Sequence, residues 1–247
     1  MKMKTVLITG ANRSIGLETA KQLSKKGLFV YLGTRDLEKG EVVVKELNEN
    51  GFENIKAIQI DVTNLDTILA AKNTIDNEQG KLDILINNAG ISGVFPQSAI
   101  DTDVSVFKEV YEINLFGVVQ VTQNFMDLLK KSDQPRITNL TSGLGSLTLH
   151  NDPTWQYYNI KAAIYNSSKA ALNMYTITLA YELRETNFKV NVIDPGFTAT
   201  DFNHHTGPGT VENAASFVIK HTVTDDNAPT GKYFSNDIKD GTEISPW

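Results

Sequence analysis

Thr5-Val6-Leu7-Ile8-Thr9-Gly10-Ala11-Asn12-Arg13-Ser14-Ile15-Gly16 decides the fold. An apolar run of strand character passes through a turn of small and polar residues directly into a helical pattern from Ile15 to Lys26. The first N–H groups of a helix have no partner within it, so such a junction offers an anion a ready-made seat. Gly10 and Gly16 let the main chain come close to a pyrophosphate, and Asn12, Arg13, Ser14 and Ile15 complete the turn. A tight strand-to-helix connection without a ligand uses the same residue types. The strand before and the helix after are what favour a dinucleotide.

Working outward, short apolar runs recur at Phe29 to Leu32, Ile55 to Ile60, Leu82 to Ile86, Ile137 to Leu140 and Val190 to Ile193, and Gly231 to Ser235 suits a last strand. Helical patterns separate them at Asp36 to Asn50, Leu65 to Glu78, Val104 to Leu129 and from Tyr165 to about Glu185, with Gly27, Gly51 and Gly80 placed as C-terminal caps. Strands that alternate with helices predict right-handed crossovers and a parallel sheet covered on both faces, a doubly wound α/β architecture. No repeat, low-complexity tract or linker marks a boundary, so residues 1–247 are read as one domain.

Composition narrows the classes. Hydrophobic residues make up 40% of the 247 and charged residues 21%, ordinary for a globular chain. A net charge of −6 argues against a general affinity for nucleic acid or anionic membrane. Without cysteine there is no disulfide, thiolate ligand or catalytic thiol, and a cytoplasmic setting is expected. Met1-Lys2-Met3-Lys4 and the run behind it lack the length and cleavage pattern of a signal peptide, and no run is long enough to span a bilayer. His204-His205 has no partner at metal-ligand spacing, so no metal site is expected.

The second strand leads into Gly33-Thr34-Arg35-Asp36, where the acidic residue that would receive the ribose hydroxyls of NAD is missing. Arg35 stands beside that place and Arg13 lies in the first turn. Two guanidinium groups converging on one region would clamp a 2′-phosphate, which points to NADPH/NADP+, whereas each arginine alone reads equally as a solubilising charge. Asp36, just before Leu37-Glu38-Lys39, fits a helix N-cap.

Carbonyl reduction needs a proton donor at the substrate oxygen while hydride reaches its carbon. A tyrosine serves if a nearby ammonium draws its pKa down, and a lysine four residues later on a helix shares its face. Two segments have this spacing, Tyr157-Tyr158-Asn159-Ile160-Lys161 and Tyr165-Asn166-Ser167-Ser168-Lys169, and spacing does not choose between them. Ser142 closes the fifth strand at the sheet edge where ligands gather, with Thr141 and Ser146 as neighbouring hydroxyls.

Taken together, Thr9 to Gly16, Asn87-Asn88-Ala89-Gly90, Ser142, Tyr165-Asn166-Ser167-Ser168-Lys169-Ala170-Ala171-Leu172 and Pro195-Gly196-Phe197-Thr198-Ala199-Thr200 resemble the motifs of the short-chain dehydrogenase/reductase family, in family order over nearly the whole chain. Ser14 stands where that family usually has its middle glycine. The resemblance implies a Rossmann-type domain with a mainly seven-stranded parallel sheet. It selects Tyr165 over Tyr157, whose pair then reads as an exposed one, and implies a catalytic set of Asn114, Ser142, Tyr165 and Lys169. Asn114 would hold a water that links the lysine to solvent. It implies further that Asp61 and Val62 hold the adenine, that Asn88, Ala89 and Gly90 line the cofactor, that Tyr165 and Lys169 also touch it, and that Pro195, Gly196, Thr198 and Thr200 meet its nicotinamide and phosphate. The expected reaction is NADPH-dependent reduction of a ketone or aldehyde, reversible, on a small-molecule carbonyl or alcohol. A non-catalytic NADP(H) sensor and an NAD-linked alcohol or steroid dehydrogenase are the competing readings. The 22 residues between Ser142 and Tyr165 exceed the family's usual dozen or so. They are read as an insertion bordering the substrate pocket, with residues 204–209 as a mobile opposite wall, and both a monomer and a homo-oligomer are compatible with them.

Overall fold

A computed structural model describes residues 3–247, so Met1 and Lys2, part of the stretch weighed as a signal peptide, lie outside the described residues. Among the described residues seven strands form one sheet: β1 (Thr5–Ile8), β2 (Phe29–Thr34), β3 (Ile55–Gln59), β4 (Ile84–Asn87), β5 (Arg136–Leu140), β6 (Lys189–Asp194) and β7 (Tyr233–Ser235). Their order is β3-β2-β1-β4-β5-β6-β7 and every pairing is parallel, as expected for a doubly wound fold. The chain winds outward from β1 to β3, then returns to the centre and winds the other way from β4. Between the carboxyl ends of β1 and β4 the two windings part and leave a crevice.

The helices are α1 (Ser14–Lys25), α2 (Leu37–Glu49), α3 (Leu65–Gln79), α4 (Val104–Tyr111), α5 (Val118–Leu129), α6 (Ala163–Glu182) and α7 (Val211–Thr222). Alternation within the strands sorts them into two cores. Val6 and Ile8, Val30 and Leu32, Ile84 and Ile86 face α1, α2 and α7, while Leu7, Tyr31 and Leu85 face α3, α5 and α6. Asp36 caps α2 by accepting from the Lys39 N–H at 3.2 Å, and Gly80 ends α3 in the left-handed region at φ 75°.

The pattern from Val104 to Leu129 is one long helix by sequence, but a π turn at Glu112–Gly117 divides it into α4 and α5. The wider turn has a packing cause. Gly117 lies so close to Val62 that a β-carbon would stand 2.7 Å from its Cγ2, and Asn114 turns its carboxamide onto the backbone of Ile91. Such one-turn departures from α geometry recur at functional sites.

Candidate active site

The crevice is a cleft of about 970 Å³ running from the β2 end of the sheet, past the first turn, to Ser142 and Tyr165. Its floor is held by a short amide network. Asn88 donates from Nδ2 to the carbonyls of Thr9 and Gly10 at 2.8 and 2.9 Å, and the Thr9 hydroxyl accepts from the N–H groups of Asn88 and Ala89. Asn87 continues it inward through Asn139 to Thr176, leaving its own Oδ1 buried without a hydrogen-bond partner. The Asn87-Asn88-Ala89-Gly90 segment thus ties the first turn to the central strand.

The start of α1 carries neither a side-chain cap nor an acidic residue in its first turn, and Arg13 to Gly16 line the cleft there. Gly10 and Gly16 leave the room expected of them. A β-carbon at Gly10 would lie 3.0 Å from Ala89 Cα, and one at Gly16 only 2.6 Å from Asn88 Nδ2. Ser14 adopts φ 50°, the left-handed conformation that glycine reaches freely and other residues do not. Its hydroxyl donates to Asp201 at 3.3 Å, and Arg13 lies 4.0 Å from the same carboxylate. Ser14→Gly is therefore expected to stabilise the chain by about 1 kcal/mol. A thermal melt would register this as a rise of roughly 2–4 °C.

Arg13 and Arg35 both line the β2 end of the cleft, as the sequence suggests, and Lys39 joins them. Lys39 was not legible as a binding residue because a lysine in the first turn of an exposed helix looks like any solvated charge. Asp61 and Val62 border the same end, but the Asp61 carboxylate is taken up by the Thr63 N–H and hydroxyl at 2.9 and 2.8 Å.

At the other end, α6 buries Tyr165, Ser168, Lys169, Leu172 and Thr176 along one stripe, which brings Tyr165 and Lys169 to the same inward face. Ser142 caps the turn after β5 by accepting from Leu144 N–H at 3.2 Å, and its side chain also shares a hydrogen bond with Tyr165. Thr141 turns away to Asn173 and Ser146 to the carbonyl of Pro246, so Ser142 alone of the three hydroxyls meets Tyr165.

Asn114 is fully buried. It accepts from Ile91 N–H and donates to Ile91 O and Ser168 Oγ, which fixes the strand-end loop against α6. Its Oδ1 and the Lys169 Nζ flank Gly90, standing 3.3 and 3.6 Å from where a β-carbon would be. Any side chain at 90 would fill that space.

The electrostatics differ from the sequence expectation. Burial pushes the Tyr165 hydroxyl well above the ordinary tyrosine range, with Ser142 opposing and Asp194 adding to the rise. Lys169 does not draw it down, because its Nζ donates to the Leu140 carbonyl at 2.9 Å and lies 5.8 Å from the centre of the Tyr165 ring. Burial lowers Lys169 instead, to about 8. The phenol is held in its protonated form, which is the form a proton donor needs.

The rival pair does not form a unit. Tyr157 lies in a turn outside any helix, while Lys161 donates to the His150 carbonyl at 2.8 Å and sits over the Tyr158 ring. Yet Tyr157 is not an exposed residue either. It is half-buried and lines the cleft, its hydroxyl hydrogen-bonded to Asp237 and its ring edge-on between Trp155 and Phe197, at 5.5 and 6.0 Å. The insertion borders the cleft as expected, through Gly143, Leu144, Tyr157 and Ile160.

Across from it, Pro195, Gly196, Thr198 and Thr200 all line the cleft, and residues 197–209 close on themselves through Ala199 N–H to Gly209 O and Gly209 N–H to Phe197 O. The Thr198 hydroxyl donates to Gly196 O at 3.1 Å. Phe202 from this segment lies over Tyr165 at 5.6 Å between ring centres. His205 is exposed and 2.9 Å from Asp201, and His204 is exposed at the cleft rim.

Two carboxylates at this end have no motif in the sequence. Asp194, at the end of β6, accepts from Ser235 Oγ at 2.6 Å and Gly196 N–H at 3.0 Å, and from the Gly143 N–H. Burial pushes it up to about 6, and the neighbouring Asp237 adds to the rise. Burial likewise raises Asp237.

The arrangement matches known proteins over most of its length. The family profile for short chain dehydrogenase covers residues 4–210. A short-chain dehydrogenase (anuI) of Penicillium roqueforti is 37% identical over 87% of this chain and 86% of its own, and salutaridine reductase of Papaver bracteatum is 30% identical over 94% of each. Among solved structures, NADPH-bound carbonyl reductase from chicken fatty liver superposes with a TM-score of 0.85 over the full length of both chains, at 25% identity. The uncapped start of α1 at the cleft, the buried tyrosine and lysine on one face of α6 and these likenesses have one reading: the chain belongs to the short-chain dehydrogenase family.

Proposed function

We propose that the chain is an NADP(H)-dependent carbonyl reductase that converts a small-molecule ketone or aldehyde to the alcohol, reversibly, in the cytoplasm, with residues 1–247 acting as one domain. The observation that carries it is the buried, protonated Tyr165 hydroxyl hydrogen-bonded to Ser142 at the end of a cleft whose far end holds Arg13, Arg35 and Lys39. The residues present suit the cofactor. Gly10 and Gly16 leave backbone-wide room beside the uncapped start of α1, and three cations line the end of the cleft where a 2′-phosphate would lie.

The cofactor would be held by Gly10, Asn12, Arg13, Ser14, Ile15 and Gly16 at the phosphates, by Arg35, Asp61 and Val62 at the adenosine, and by Asn88, Ala89, Gly90, Tyr165, Lys169, Pro195, Gly196, Thr198 and Thr200 toward the nicotinamide. When bound, it supplies the hydride. Ser142 donates a hydrogen bond to the substrate oxygen and holds it against Tyr165. The Tyr165 hydroxyl gives its proton to that oxygen as the carbon is reduced, while Lys169, its Nζ held at the Leu140 carbonyl on the same inward face of α6, faces the cofactor. Asn114 positions this machinery by locking Ile91 and Ser168 to each other. Phe202 lies tilted against the Tyr165 ring, 5.6 Å between centres.

NADPH consumption with a panel of carbonyl compounds tests the reading, and no turnover with any of them defeats it. Arg35→Ala is expected to weaken NADPH binding by about tenfold while leaving NADH binding nearly as it was, since a charge-assisted hydrogen bond is worth about 1.5–3 kcal/mol and the guanidinium is exposed. Titrating both cofactors checks this, and an unchanged preference removes Arg35 as the discriminator.

A further inference from the structure

The cleft is electrically divided. At its β2 end the cations are Arg13, Arg35 and Lys39, and the nearby carboxylates are engaged, Asp36 with Lys39 at 2.9 Å and Asp61 with Thr63. At the substrate end the lining carboxylates are Asp194 and Asp237, and the cations there are Lys169, which donates to Leu140 O, exposed Lys239, which donates to the carbonyl of Asn236, and His204 if protonated at the exposed rim. Asp194 is spent inward on Ser235, Gly196 and Gly143. Asp237 borders the cleft with the Tyr157 hydroxyl and the Phe197 N–H as its donors.

The second feature of this end is bare aromatic surface. Phe95, Phe197 and Phe202 line the cleft yet remain 54%, 39% and 41% exposed, and Val94 beside them is 74% exposed. Rings left open around a catalytic hydroxyl imply an occupant that covers them. Aromatic surface in the same cleft as a carboxylate, with the Phe197 N–H donating to Asp237, suits one kind of occupant in particular, an organic cation, which ring quadrupoles and carboxylate both attract.

Resting on the reductase reading, we infer that the substrate is a bulky apolar carbonyl compound bearing a cationic amine, and that Asp237, set in place by Tyr157 of the insertion, is the residue that reads the charge. A carbonyl compound bearing a carboxylate or phosphate meets like charge at the same wall and is rejected.

N,N-dimethyl-4-oxopiperidinium, 4,4-dimethylcyclohexanone and 4-oxocyclohexane-1-carboxylate share a ring and a carbonyl and differ in charge. With NADPH at neutral pH, kcat/KM is expected to be highest for the cation and lowest for the carboxylate. The ammonium group also activates its own carbonyl, so the deciding figure is the cation-to-neutral ratio in Asp237→Asn, a change that keeps the side chain's size and one acceptor oxygen and removes the charge. That ratio is expected to fall about tenfold, the equivalent of about 1.4 kcal/mol. The same ratio in both proteins, or a preference for the carboxylate, overturns the inference. Turnover of none of the three ketones, together with none of the wider carbonyl panel, would count against the reductase reading instead. Charge preference is then read from tryptophan fluorescence with NADP+ present, Trp155 being in contact with Tyr157. Tighter binding of the cation than of the neutral ketone supports the inference, and equal or weaker binding overturns it.

Discussion

Tyr165→Phe is expected to lower kcat/KM for carbonyl reduction by about 10²–10⁴-fold, the range that a positioned proton donor contributes. The change removes one oxygen from a ring that is 8% exposed and leaves the ring's contact with Phe202, so folding and NADPH binding should persist. No other phenol near the site can substitute. The Tyr233 hydroxyl is committed to the Ser142 carbonyl at 2.5 Å, and the Tyr157 hydroxyl to Asp237. Ser142 is not acidic enough to act alone. Steady-state NADPH consumption set beside an NADPH binding titration separates the two quantities. Loss of binding in proportion to activity would mean that the residue serves the cofactor only, and activity within a fewfold of the parent would remove it from the chemistry.

Gly16→Val should damage the same protein from the opposite end. A β-carbon there would lie 2.6 Å from Asn88 Nδ2, 2.9 Å from Ala11 Cα and 3.0 Å from Gly10 O, and two of these three atoms are backbone that cannot step aside cheaply. Branching adds two more carbons in the tightly packed first turn of α1. Moving Asn88 frees the carbonyls of Thr9 and Gly10 that it holds, so the first turn loses both its shape and its attachment to β4. Overpacking of this kind costs about 1–3 kcal/mol or more. For the upper figure, the melting temperature falls by roughly 6–12 °C in a chain of this size. NADPH affinity should fall with it, read by titration below the new melting point. A variant that melts normally and still binds NADPH would mean that the turn has more room than its geometry allows.

Most of the frame was legible in the sequence because it is written in local signals. Apolar runs a few residues long between helical patterns gave each strand, and Asp36 and Gly80 marked helix ends through side-chain and backbone chemistry that acts within one turn. The Ser168 and Ala170 to Leu172 flank separated Tyr165 from Tyr157 through its resemblance to the family motif, spacing alone having left the two equal. The π turn was not legible, since it shifts the helical period by a single residue and its causes, Val62 and Ile91, come from elsewhere in the chain. Lys39, Asp194, Asp237 and the inward turn of Tyr157 were missed on similar grounds. Each takes its meaning from partners distant in sequence, as when Tyr157 meets Asp237 some eighty residues later, and no spacing rule reaches that far. The depressed tyrosine pKa expected from a lysine four residues on failed because burial outweighed a cation that faces another acceptor.

The edge-on rings from His150 through Trp155 and Tyr157 to Phe197 cross from the insertion to the loop behind β6. They make the insertion a poor candidate for piecemeal exchange. A loop grafted from a relative in place of residues 147–161 would strand Phe197 and Asp237 without the neighbours that orient them, and the recipient would inherit half of a binding wall. The transplantable unit is three discontinuous pieces together, the insertion, the turn that carries Phe197 and the strand end that carries Asp237. Changes in what such a protein accepts should therefore arrive as correlated substitutions across those pieces rather than as changes within any one of them.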